Sequence, residues 1–115
     1  MTANHRLVAV VRRPYTGDPS RMYVGLPPME PSEPDTRQRM AVPRVLVLAT
    51  RSDGVFLERF DAQGNEVGDT WHESIDDGKA QALAEYGENL GTWTDVPESE
   101  SDPVVFALHL ADAST

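Results

Sequence analysis

The sequence predicts an α+β domain: a mainly antiparallel sheet of about five to six strands, with one helix (about residues 74–86) packed on one face. Three observations carry this reading. Short β-branched runs recur at HRLVAVVRR (5–13), RVLVLAT (44–50) and VFLERF (55–60). Clusters of turn-forming residues, RSDG and DAQGN, separate the later runs. Only Ser74 to Tyr86 combines helical length with a helix cap. The 115 residues fit a single domain, 1–115, which can bury a core without staples. The chain has no Cys, so disulfides, thiolate metal sites and Cys catalysis are excluded.

In the first strand, His5 to Arg13, Leu7, Ala9 and Val11 share one face and Val8 and Val10 the other. Both faces are apolar, which predicts an interior strand. Residues 14–43 then hold seven of the nine prolines. Proline removes a backbone donor and fixes φ, so this stretch predicts a long Pro-rich loop or arm inserted after strand 1. RMYVGL (21–26) would be one short strand within it, and Pro27 to Pro34 a polyproline-like extension.

Arg44 to Thr50 is continuously apolar after its arginine, as burial on both faces requires. After the turn at 51–54, Val55 to Phe60 forms the next strand. Asp61 to Asn65 make a hairpin loop with Gly64 suited to a left-handed position, and Glu66 to Trp71 return as the partner strand. Ser74 is a good N-cap with Asp77 three residues on, and Asp76 and Asp77 complement the helix dipole in the first turn. Ile75, Ala82, Leu83 and Tyr86 fall near one face that should meet the sheet. Gly87 is the expected C′ residue. Gly78 weakens the helix interior and implies close packing. GTWTDV (91–96) and VVFALHL (104–110) predict two further strands around the polar loop 97–103, the last with Val104, Phe106, Leu108 and Leu110 on one face. Residues 111–115 should fray.

Charge is unevenly placed. Residues 1–60 hold nine Arg against six Asp/Glu, a balance of +3. Residues 61–115 hold thirteen Asp/Glu against Lys79 alone, −12, for the total of −9. The acidic half repels phosphate, so no nucleic-acid partner is expected. It suits a basic protein, or the N-terminal half of a second copy in a homodimer. Arg12, Arg13, Arg37 and Arg39 lack the interleaved aromatics that stack bases. No apolar run nears the ~20 residues that span a bilayer, and Leu7 to Val11 is too short for a signal-peptide core, so no membrane is expected. The expectation is a cytoplasmic protein of bacterial type.

One motif raises a chemical question. TWHESIDD (70–77) is one letter from H-E-x-x-H, the helix-borne zinc motif. If Ser74 is the N-cap, His72 and Glu73 precede the helix, point to opposite sides, and cannot act as a pair. A third ligand would have to come from His5, His109 or Asp69. The expectation is therefore a strand-to-helix corner with Trp71 under the helix, no metal and no cofactor. Glu66, Asp69 and Glu73 are close in sequence, but nothing there raises their pKa values. There is no G-x-S-x-G and no Walker A motif.

These features rank three functions. The first is a small, acidic, non-catalytic binding protein, a regulatory or immunity-type inhibitor of a basic partner, acting through Asp69, Trp71, Glu73, Asp76, Glu85 and Glu88. The second is a small enzyme or metal-binding protein. Its pocket would lie near His72, Glu73 and His109, with Asp69 beside it and the Pro-rich loop as lid. The third is self-association of the basic and acidic halves.

Overall fold

The fold is built around one strand buried on both sides. In a computed structural model describing residues 5–16, 23–24, 38–39 and 42–113, that strand is β4 (Val45–Arg51). Before it come β1 (Arg6–Val10), β2 (Tyr23–Val24) and β3 (Gln38–Arg39). After it come β5 (Gly54–Phe60), β6 (Glu66–His72), α1 (Ile75–Tyr86), β7 (Thr94–Asp95) and α2 (Pro103–Ala113). The main sheet has five strands in the order β6-β5-β4-β1-β7, every neighbouring pair antiparallel. β2 and β3 form a separate antiparallel pair. The chain is therefore α+β, with an antiparallel sheet and two helices.

Alternation along β4 sorts the core into two layers. Leu46 and Leu48 join Leu7, Val11, Val55 and Leu57 beneath Ala82 and Tyr86 of α1. Val45, Val47 and Ala49 join Val8 and Val96 beneath Ala107 and Ala111 of α2. α1 lies over β4, β5 and β6, and α2 lies over β1 and β4. Fully buried Val, Leu and Ala side chains on both faces of one sheet supply its main stabilisation, roughly 1.5–3 kcal/mol for each of the larger ones.

The expected strand at 104–110 is a helix, and this corrects the single-helix architecture. Asp102 Oδ1 accepts from the backbone N–H groups of Val104 and Val105, at 3.0 and 3.3 Å. Asp102 is thus an N-cap, with Pro103 at the first helical position, where its missing donor costs nothing. Ala107 and Ala111, four residues apart, are the fully buried positions. Ala111, expected in the frayed tail, belongs to this helical face.

α1 begins and ends where the caps require. The Ser74 hydroxyl accepts from Asp77 N–H at 3.0 Å, and Gly87 closes the helix at φ 52°. Gly78 meets the sheet so closely that an added Cβ would lie 2.5 Å from Leu48 Cδ1. The buried positions are Gly78, Ala82 and Tyr86, spaced by four. Leu83, expected toward the sheet, is 59% exposed. The loop after β5 closes as its sequence requires, with Asp61 accepting from Gln63 and Asn65 N–H and Gly64 at φ 86°.

The long stretch between β1 and β4 is closed at its base. Val11 N–H donates to Arg44 O at 2.9 Å, and Arg44 Nη1 donates back to Val11 O at 2.9 Å. The short strand expected at 21–26 corresponds to β2. The polyproline-like extension at 27–34 lies outside the described residues.

Candidate functional site

Two regions carry polar or exposed side chains that a plain core would not need. The first lies between the sheet and α1. Val55, Leu57 and Arg59 alternate onto that face of β5, so an arginine occupies a core position, with no solvent exposure. A buried guanidinium requires acceptors. Its Nε donates to Glu85 Oε1 at 3.0 Å and to the Tyr86 hydroxyl at 3.2 Å. Nη2 donates to Glu85 Oε2 at 2.7 Å and to Thr70 Oγ1 at 3.2 Å, and Nη1 donates to Leu57 O at 3.2 Å. Gln81 Nε2 donates to the same Glu85 carboxylate at 2.6 Å.

From Thr70 the chain of bonds continues to the surface. Thr70 Oγ1 is 2.7 Å from His72 Nε2, and His72 Nδ1 is 3.0 Å from Asp77 Oδ2. Arginine can only donate, so Thr70 accepts from Arg59. The Asp77 carboxylate can only accept, so His72 donates to it from Nδ1, and in the neutral imidazole Nε2 then accepts the Thr70 hydroxyl proton. The order hydroxyl–imidazole–carboxylate is that of an activated nucleophile. Here, however, the hydroxyl is tied to a guanidinium with no exposure and the imidazole is itself buried. The arrangement fastens β6 to α1.

The titration behaviour follows from this packing. Burial alone would lower the Arg59 pKa, but the hydrogen bond and charge of Glu85 outweigh it and raise it. Burial pushes the Glu85 carboxyl up; hydrogen bonds from Arg59 and Gln81 and the Arg59 charge more than offset this and hold it below the ordinary glutamate range. Tyr86 is raised, first by burial and then by the Glu85 charge.

The second region is the opposite face of β5 and β6, which meets α2 at its Phe60 end. Cross-strand register sets Phe56 against Trp71 and Glu58 against Asp69, with Glu66 opposite Phe60 beyond a bulge. Trp71 is 54% exposed. Its indole N–H donates to Asp53 O at 2.8 Å, and its ring lies over Gly54, where a Cβ would come within 2.1 Å of Nε1. This corrects the expectation that Trp71 packs under the helix. Neighbouring strand residues face opposite ways, so once Thr70 and His72 face α1, Trp71 must face outward. Toward the other end of β6 the Glu66 carboxyl is pushed up, first by burial and then by the charges of Asp69 and Glu58. Arg51 offsets part of that charge, with Nη2 2.8 Å from Glu58 Oε2 and its guanidinium over the Phe56 ring.

The residues singled out from the sequence therefore separate. Asp69 and Trp71 share the outer face of β6. Glu73 and Asp76 are exposed at the corner and on the first turn of α1. Glu85 is committed to Arg59, and Glu88 Oε1 accepts from the Thr16 hydroxyl at 3.1 Å. His72 lies under α1, whereas His109 is exposed on α2 across the sheet, so the structure does not bring them together. His5 Nε2 is 2.6 Å from Asp95 Oδ1, tying β1 to β7. Among the described residues no three His, Cys, Asp or Glu side chains gather as a metal ion would need, and no helix is long and apolar enough to cross a membrane.

Sequence reasoning missed Arg59, Thr70, Gln81 and Tyr86 as one network. The available signal was the alternation Val55-Leu57-Arg59, which places a charge on a buried face. Comparison with known protein families, with curated proteins and with solved structures finds no match in any of the three.

Proposed function

We propose that this chain is a small, non-catalytic binding protein that holds a basic protein partner on the outer face of β5 and β6, in a regulatory or immunity-type inhibitory role. One observation carries the reading: a large aromatic, Trp71, exposed and hydrogen-bonded through its indole, on the same sheet face as the carboxylates Glu58, Glu66 and Asp69, which repel one another. Tryptophan, with tyrosine and arginine, is enriched at the energetic centres of interfaces. A cation approaching Glu66, Asp69 and Glu58 relieves their mutual repulsion, and the acidic half of the chain steers it there.

The test is capture from native lysate on the immobilised chain, at low and high salt, beside a variant carrying Asp69→Asn and Trp71→Ala whose melting is unchanged. The expected result is a specific basic protein, retained at low salt, released at high salt and lost on the variant. Equal capture by the variant, or no salt-sensitive protein at all, overturns the proposal.

A further inference from the structure

We infer that the basic partner binds as an added β-strand along β6, an extended segment with Lys or Arg at alternate positions. This rests on the acidic-face reading above and specifies its geometry.

β6 is the outermost strand of the sheet on its side. It runs for seven residues, and among the described residues no backbone bond is made to its outer edge. Such an edge is a template for pairing. The opposite edge, β7, offers only two residues.

The side chains along β6 select the occupant. A second copy is disfavoured: antiparallel pairing of two β6 edges centred on Asp69 sets the two Asp69 carboxylates directly opposite one another, and like charges across strands destabilise. The polyproline-like part of the chain itself, Pro27 to Pro34, lacks the backbone donor at four of its eight positions. An alternating basic strand satisfies both requirements. Its Lys or Arg residues fall on the face of Glu66, Asp69 and Trp71, where charge pairs and a cation–π contact are available. Its intervening residues fall on the face of Gly68 and Thr70, which favours small or β-branched side chains.

The experiment uses the full chain and three labelled peptides matching the seven residues of β6: alternating Arg-Thr, the same peptide N-methylated at every second backbone nitrogen, and alternating Glu-Thr. Affinity is read by fluorescence anisotropy, with amide exchange of Val67 to Trp71 followed by NMR. The Arg-Thr peptide should bind in a salt-sensitive manner and slow those amides. The N-methylated peptide, with the same charge, should bind at least about tenfold more weakly. Equal binding of both cationic peptides, or protection on α1 in place of β6, overturns strand addition and leaves the acidic-face reading standing. Failure of both cationic peptides at low salt overturns the two together. Protection of β6 without peptide, together with a doubled mass by light scattering, overturns the inference in favour of a second copy.

Discussion

Arg59 directs every polar atom of its side chain into the protein. Removing its counter-ion therefore costs more than the pair itself contributes. Glu85→Ala leaves a desolvated charge and should destabilise the fold by about 3–5 kcal/mol. Replacing both partners with apolar residues, Arg59→Met with Glu85→Leu, should return stability to within about 1 kcal/mol of the parent. Urea denaturation of the three proteins separates these cases; equal losses in the single and double variants would show that packing, not charge, sets the cost. The same pair predicts a pH dependence. The Glu85 carboxyl titrates lower in the folded chain than in the unfolded one, so its contribution is complete above the ordinary glutamate value of about 4.3 and is lost as pH falls through the folded value. Denaturation at neutral and acidic pH should show this acid-sensitive component in the parent and not in the double variant.

At the scale of elements, the two helices show what a sequence discloses and what it conceals. α1 was legible because its signals are local: Ser74 as cap, two aspartates in the first turn, and Gly87 at the end. α2 was not. VVFALHL satisfies both periods, since every residue but His109 is apolar, and its alternation as a strand is as good as its spacing as a helix. The deciding information lay just outside, in Asp102-Pro103 as cap and first turn and in Ala111 continuing the buried face. The β5–β6 meander was legible from its turns, but the Arg59–Glu85 pair spans two elements and depends on how α1 docks, which no local pattern states. Gly78 belongs to this scale too. Alanine there gains about 1 kcal/mol of helix propensity, but its methyl meets Leu48, which is buried in the core. Overpacking of this kind costs about 1–3 kcal/mol. Gly78→Ala should therefore lower the melting temperature, and adding Leu48→Val should recover part of the loss; a rise in the single variant would show that the core yields at that point.

Across the whole molecule, the basic first half and acidic second half are partly reconciled within one chain. Arg6 donates to Glu100 O, Arg12 to Glu88 O, Arg44 to Ala111 O, and Arg59 pairs with Glu85. These arginines lace the N-terminal strands onto the C-terminal half, but only Arg59 meets a carboxylate; the other three donate to main-chain carbonyls and leave the acidic side chains uncompensated, so the net charge of −9 stands. That distribution supports a heterologous partner over the meeting of opposite halves between copies.

The paired bonds of Val11 and Arg44 have a consequence of a different kind. They make a throat: the backbone departs from the central sheet and rejoins it at adjacent points, and the register from Arg6↔Ala49 to Val10↔Val45 is already complete without what hangs between. A segment tethered in this way is a cassette. Its length enters the stability of the frame only through the logarithm of the closed loop, about 0.6 kcal/mol for each doubling. Replacing residues 17–41 with a short Gly-Ser linker should leave the sheet, both helices and the Trp71 face intact, as judged by amide chemical shifts. Wholesale loss of the fold would show that the sheet leans on the cassette. If it does not, the throat is a port, through which natural variation or a designer can exchange one segment for another while the frame and its β6 edge stay as they are.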